Sequence, residues 1–362
     1  MIPIFEPFLD GNEKKYLLDC IESNWISSQG QYILKFEKAL ADFHDLEYAV
    51  VTSNCTTALH LSLKSFNIGF GDEVICPDLT FIAPANMVSL SGAKLVLVDI
   101  DPVTLNIDPD LIEKKINKNT RAIIVVHQFG HAANMDKIMH IASKYNLKII
   151  EDNAESIGAK YKNKLLGTIG HLSTNSFFAN KIITCGEGGV LLTNDKNIAM
   201  KCRELRDHGM SHKKKYHHID LGYNYRMTNM QAAIGLAQIE KINHIIKIRK
   251  EQMDFYYRTL SNISFISLRQ FAEWCEPVHW MMTIFLDVSI DRKHFISYMM
   301  DNKIECRPMI NPVHNAEHFK SIFNPNEFNN SIKISNSGVH LPSSTSLTKK
   351  ELIYICETIR NY

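Results

Sequence analysis

The chain carries almost no net charge: 40 Lys and Arg against 39 Asp and Glu leave a formal +1. With so little excess of either sign, no global field draws it onto nucleic acid or an anionic membrane, and any anionic ligand has to be held locally. Long apolar runs are missing too; no stretch reaches the roughly 18 residues of a membrane-spanning helix. The opening MIPIFEPFLDGNEKK puts acids and a proline where a secretory leader needs a basic start and an apolar run, so the cytoplasm is the expected compartment. Eight cysteines (Cys20, Cys55, Cys76, Cys185, Cys202, Cys275, Cys306, Cys356) occur without a CxxC pair, a scatter that favours reduced, mostly buried thiols over a disulfide framework or a structural zinc site. The first strand is not followed by GxGxxG, which argues against a nicotinamide oxidoreductase. Internal repeats and low-complexity tracts are also absent.

What remains is ordinary globular composition, 45% hydrophobic and 22% charged, over 362 residues. That length exceeds what a single growing core sustains, so a large domain and a smaller one are expected. Short β-rich runs alternate with amphipathic stretches through the first two thirds: YAVVTS (48–53), EVICP (73–77), KLVLVD (94–99), AIIVVH (122–127) and KIIE (148–151) read as buried strands, with helices over 57–66 and 135–145. Strands joined by helix-length connections imply crossovers, hence an α/β fold with a mainly parallel sheet covered on both faces. From about residue 238 the pattern changes to a long charged helix (238–260). A strand-like run at 280–288 and helices near 292–302 and 349–359 follow, so the domains are placed at 1–240 and 241–362.

In such sheets ligands sit beyond the carboxyl ends of the strands. Three stretches there carry chemistry. Ser53-Asn54-Cys55-Thr56-Thr57 ends a strand and opens a helix, where free N–H groups favour a phosphate, although the same residues also serve as plain helix caps. Asp152 follows the strand KIIE and either faces a ligand or caps a helix. In NSFFANKIITCGEGGV (175–190), Lys181 stands alone in an apolar stretch before a glycine-rich turn. Burial would favour the neutral amine that imine chemistry needs; a solvated Lys is the alternative. The run HGMSHKKKYHH (208–218) has no acid or Cys at ligand spacing, so no metal site is expected there.

The stretch around Lys181 resembles the active-site lysine motif of the DegT/DnrJ/EryC1/StrS family of sugar aminotransferases. Other parts of the family pattern recur in order: SNCTTALHLSL, GDEVICPDLTFIAPANMV, IIVVHQFG, IIEDNAESIGAKYKNKLLGTIG, GYNYRMTNMQAAIGLAQIE and RPMINPVH, spanning roughly residues 25–315. The resemblance implies an aspartate-aminotransferase-like large domain (fold type I) with a smaller α+β domain. It further implies pyridoxal 5'-phosphate (PLP) as cofactor, with pyridoxamine 5'-phosphate as its amino form during turnover. Lys181 matches the residue that holds PLP covalently and moves the proton, and Asp152 the acid that pairs with the ring nitrogen. Glu155 matches a residue near the ring oxygen, and Phe81 the aromatic against the ring. Cys55, Thr56 and Ser176 match the phosphate cradle; Cys55 is a departure, because the family usually has Gly there. Asn224 matches a residue that reaches the phosphate of a neighbouring subunit, implying a homodimer with shared sites. Trp25, Ser27, Ser28, Lys213, Lys215, Arg226, Arg307 and His314 match places that line the sugar-nucleotide pocket.

Within the family the pattern is closest to enzymes that aminate GDP-4-keto-6-deoxymannose at C4 with glutamate as donor. Amination of UDP- or dTDP-linked 4-keto-6-deoxyglucose is the alternative, and a non-catalytic, ligand-binding or regulatory PLP-fold protein a more distant one. Sugar dehydratases of this fold carry His in place of the lysine, and this chain keeps Lys181.

Overall fold

The computed structural model describes all 362 residues. Strands β1 (Tyr48–Thr52), β2 (Glu73–Pro77), β3 (Lys94–Val98), β4 (Thr120–Val126) and β5 (Lys148–Asp152) are followed by a short hairpin of β6 (Lys160–Tyr161) and β7 (Lys164–Leu165). Then come β8 (Leu172–Ser176) and β9 (Gly189–Thr193). Seven of these form one sheet in the order β1-β9-β8-β5-β4-β2-β3. Every pairing from β3 across to β8 is parallel, and β9 alone runs antiparallel to both its neighbours. The sheet is therefore mainly parallel, as its helix-length connections require.

Both faces of the sheet are buried. Along β4, Ile123 and Val125 pack into one apolar cluster while Ala122, Ile124 and Val126 pack into another on the opposite side. That is the period of two expected of a strand covered twice, and it explains why these strands read as unbroken apolar runs rather than alternating ones. Helices α1 (Glu13–Glu22), α2 (Gln31–His44), α3 (Cys55–Ser65), α4 (Ala83–Leu90), α5 (Pro109–Ile112), α6 (Met135–Tyr145), α7 (Lys196–Arg206) and α8 (Asn229–Ile239) surround it. Two begin with reciprocal caps: Asn54 with Thr57 for α3, and Thr228 with Gln231 for α8.

The long helix expected over 238–260 begins a few residues later, at Ile242. α8 ends at Ile239 and α9 (Ile242–Leu260) starts anew, because Lys241 leaves helical geometry and its ammonium bonds Phe8 O (2.9 Å) and pairs with Asp10 and Glu13 of the amino-terminal arm. After α9 come β10 (Ile266–Leu268), β11 (Cys275–Glu276), β12 (Met282–Leu286), α10 (Arg292–Asp301), β13 (Arg307–Pro308), α11 (Asn329–Ser337), β14 (Gly338–Leu341) and α12 (Lys349–Arg360). An antiparallel sheet, β10-β12-β14-β13, packs with α9, α10 and α12 around Tyr256, Leu260, Phe295, Met299, Ile355 and Ile359. Ile2 from the chain's start joins this cluster. β11 adds to the β6–β7 hairpin. Two later segments return to the large sheet: Val278, Trp280 and Met281 enter the cluster on one face, and Val313, Phe319 and Phe328 the cluster on the other. No helix is long and apolar enough to cross a membrane.

Candidate active site

Beyond the carboxyl ends of β5 and β8 lies a cavity of about 410 Å³ walled by α3, the 80–84 segment, the 176–181 loop and Trp280. Its position follows from the sheet. β5 ends at Asp152 and β8 at Ser176, and each leaves its last side chain at the strand end where a ligand sits.

The loop after β8 is held by its first residue. Phe177 is fully buried against Phe36 with ring centroids 5.2 Å apart. Its N–H donates to Gly188 O, and its carbonyl accepts from Cys185 N–H (2.9 Å) and the Thr184 hydroxyl (3.1 Å). With both ends of the loop tied to one residue, the chain between them turns back tightly, and Lys181 N–H closes onto Phe178 O at 2.9 Å. The Lys181 side chain is only 12% exposed. Its Nζ lies 3.6 Å from Glu155 Oε1 and 4.0 Å from the centre of the Trp280 ring. Lys181 thus enters the cavity as the one cation lining it.

Asp152 is buried and lines the same cavity. Its Oδ1 accepts Ala154 N–H at 3.0 Å and faces the Cys55 thiol at 4.0 Å, and it joins no ion pair. Burial pushes its carboxyl up to about 6, with the neighbouring Glu155 charge adding to the rise against the Ala154 bond and the Lys181 charge. Burial also raises Glu155, which accepts Phe129 N–H at 2.8 Å, and pushes the Cys55 thiol well above its usual range, so that Cys55 acts here as a small packing residue.

At the other end of the cavity, α3 points its start inward. The Asn54 side chain occupies Thr57 N–H, while the first-turn N–H groups of Cys55 and Thr56 have no carbonyl of their own helix to bond. Gly189 allows the close packing there: a Cβ on it would stand 2.4 Å from Asn54 C and 2.5 Å from Cys55 N, so only glycine lets β9 pass under the helix start. Ser176 adds a hydroxyl to the lining, and Phe81, 62% exposed in the single chain, offers its ring to the open side.

The cavity therefore contains Cys55, Thr56, Phe81, Asp152, Glu155, Ser176 and Lys181. The other residues singled out in the sequence stand elsewhere in the chain. Asn224 is exposed and accepts Arg226 Nε at 3.1 Å; Arg226 also pairs with Asp207 at 2.7 Å. Trp25 and Ser27 are exposed and Ser28 half-buried, on a segment pinned to α8 by Asn229, which bonds Trp25 O (2.7 Å) and Ser27 O (2.6 Å). Lys213 and Lys215 are exposed on the 211–217 loop, and Arg307 is exposed and paired with Glu305. His314 is 1% exposed, stacked on Phe328 and bonded through Nδ1 to Asp78 at 2.8 Å; it lies in the core below the cavity wall, with Nε2 unpartnered. Among the cavity-lining residues that the sequence did not single out are Thr80, Asn180 and Trp280. Trp280 was legible only as the start of a strand-like run, since nothing local links it to a lysine a hundred positions earlier.

An amine, an acid in no ion pair and a helix start with free N–H groups, set around one cavity, fit the cofactor that the resemblance implies: flat, anionic and aldehyde-bearing, with a basic ring nitrogen. The unpaired Asp152 fits such a nitrogen, and the start of α3 fits a phosphate. The description "DegT/DnrJ/EryC1/StrS aminotransferase family" matches residues 7–360, and the chain belongs to that family. Its relatives include a GDP-perosamine synthase of Escherichia coli O157:H7, 40% identical over 361 residues and covering 100% of this chain and 98% of that protein. Among solved structures, Helicobacter pylori PseC, an aminotransferase involved in the biosynthesis of pseudoaminic acid, superposes with a TM-score of 0.94 at 26% identity, covering 99% of this chain and 98% of that one. The Streptococcus pneumoniae protein Spr1654 in its PLP-form gives 0.94 at 25% identity over 99% and 98%. The chain is a sugar aminotransferase whose cofactor is pyridoxal 5'-phosphate.

Proposed function

We propose that the chain converts GDP-4-keto-6-deoxymannose to the 4-amino sugar GDP-perosamine with glutamate as amino donor. The observation that carries this reading is full-length likeness at 38–41% identity to three proteins named GDP-perosamine synthase, on a chain that keeps Lys181 and Asp152 in one cavity. When bound, PLP supplies an aldehyde that carries the amino group from donor to acceptor and a ring that takes up the electron pair left on carbon. In balance, glutamate becomes 2-oxoglutarate, and the sugar C4 ketone becomes an amine.

The chain's own residues hold, orient and move protons. Lys181 would hold the cofactor covalently and, with its amine free, would carry a proton at Nζ between substrate and cofactor carbons. Asp152 would keep the ring nitrogen protonated, which would give its buried carboxylate an ion-pair partner. Cys55 and Thr56 N–H groups with the Ser176 hydroxyl would hold the phosphate, and Phe81 and Glu155 would bind the ring. Asn224 is exposed and away from its own chain's cavity, which supports its reaching the phosphate in a second copy, and hence a homodimer. Trp25, Ser27, Ser28, Lys213, Lys215, Arg226 and Arg307, exposed or half-buried, are assigned to the sugar nucleotide. His314, through Asp78 just before Thr80 and Phe81, is assigned to supporting the wall that faces it. The residues on each side of 240 are assigned to a large and a small domain.

The test is incubation of purified protein with PLP, glutamate and, separately, GDP-, UDP- and dTDP-linked 4-keto-6-deoxy sugars, with products identified by mass. Amination of the GDP sugar at the highest kcat/KM is the expected result. Preference for a UDP or dTDP sugar overturns the nucleotide, and failure with all three overturns the sugar assignment.

A further inference from the structure

Trp280 reaches the cavity from the segment before β12, a hundred residues beyond Lys181. Its indole is fixed on several sides: Nε1–H donates to Asn180 O at 2.6 Å, the ring stacks on Phe129 with centroids 6.0 Å apart and planes 6° from parallel, and its carbonyl accepts from Arg249 at 2.9 Å. Only 8% of Trp280 is exposed, and the Lys181 Nζ lies over its ring, 4.0 Å from the centre. Three other groups bear on that amine: Glu155 at 3.6 Å, Asp152 and the Cys55 thiol. A buried Lys and Glu this close normally shut into an ion pair with N···O of about 2.8 Å. Here the ion pair stays long, at 3.6 Å.

We propose that Trp280 is a positioning residue for Lys181: its indole face competes with Glu155 for the amine and holds Nζ toward the cavity, out of a closed ion pair. This rests on Lys181 being the amine that links to the cofactor. The linking step needs a lone pair on Nζ to close on the aldehyde carbon while the aldehyde oxygen leaves as water with the two amine hydrogens. An ammonium on either partner has no lone pair until one proton passes to water, and a directed bond to Glu155 would hold that proton. An indole face attracts the cation without fixing its protons in a directed hydrogen bond.

The rate at which cofactor-free protein captures PLP reads this step without any sugar or amino donor. Capture is followed by the growth of visible absorbance and by the borohydride-trapped adduct at Lys181. Wild-type protein that forms no adduct at Lys181 overturns the reading of the lysine itself. Given capture by wild type, Trp280→Leu is expected to slow it roughly tenfold, about the worth of one desolvated cation–π contact. Trp280→Phe, which keeps a ring face and loses the bond to Asn180, should stay within about threefold of wild type. In a Glu155→Gln background, Trp280→Leu should slow capture by less than about twofold, because the competing charge is gone. Equal slowing in both backgrounds, unchanged capture by Trp280→Leu, or a Trp280→Phe variant as slow as Trp280→Leu each overturns the proposal. Circular dichroism and thermal unfolding of each variant separate these outcomes from misfolding.

Discussion

Glu151 and Asp152 are adjacent on β5, both buried, and their side chains leave the strand on opposite faces. Glu151 is saturated. It accepts N–H groups of Gly167 (2.9 Å), Ile169 (2.8 Å) and Gly170 (2.5 Å), and it meets His127 Nε2 at 3.0 Å. Burial pushes its carboxyl up, yet the His127 and backbone bonds more than offset that and hold it below the ordinary range. Asp152, with one backbone bond and no ion pair, is pushed by burial up to about 6. Two like residues at equal depth thus do different work: the satisfied one ties the 167–170 turn to the sheet, and the unsatisfied one is left for a ligand.

The contrast can be broken from either side. The largest effect is expected from Lys181→Ala, which removes the cation of the unsatisfied face: turnover should fall by about 10²–10⁴-fold or more, and mass analysis after borohydride should find no PLP adduct. Glu151→Ala strikes the satisfied face. It strands His127 and three N–H groups in the core and should lower stability by about 3–5 kcal/mol in urea unfolding.

Asp152→Asn should act in the opposite direction on the cofactor-free protein. A carboxyl raised from 3.8 to about 6 on folding leaves stability untouched below about pH 4, where both states are protonated. The cost develops as pH rises and is complete above about pH 6, at about 3 kcal/mol. The Asn variant should therefore unfold at a higher temperature than wild type at pH 8, with the gap closing toward pH 4, and should bind PLP more weakly. A wild-type protein whose stability at pH 8 equals that of the variant contradicts the contrast. The smallest effect belongs to the exposed loop: Lys213→Ala with Lys215→Ala should change stability by less than about 0.5 kcal/mol while raising KM for the GDP sugar several-fold in steady-state assays.

Much of the fold was legible before any coordinates. The strand 73–77 and the helix 135–145 coincide with their expected bounds, and the other four strands differ by one or two residues at one or both ends, because apolar runs buried on both faces announce themselves locally. The antiparallel β9 was not foreseen, since the reversal of one strand inside the sheet depends on which strands meet. The break at 240–241 was missed for a similar reason: the helix was expected to run unbroken from 238 to 260, and only Lys241's bonds to the amino-terminal arm interrupt it near its start. Of the site, the motif residues around positions 55, 152 and 181 stood out through strand ends, caps and glycines. Thr80, Asn180 and Trp280 did not, because their part is defined by neighbours remote in sequence.

By itself, then, the order of residues determined the α/β architecture, the amine at 181, the acid at 152 and the helix start at 55, since periodicity, capping and glycine placement act within a few positions along the chain. Only the tertiary structure decided that Asp152 has one backbone bond and no ion pair while Glu151 has four partners, that His314 is core rather than lining, and that an indole from position 280 lies over the Lys181 amine. Burial and pairing are set by what surrounds a group in space, and a sequence carries that information only through the fold it produces.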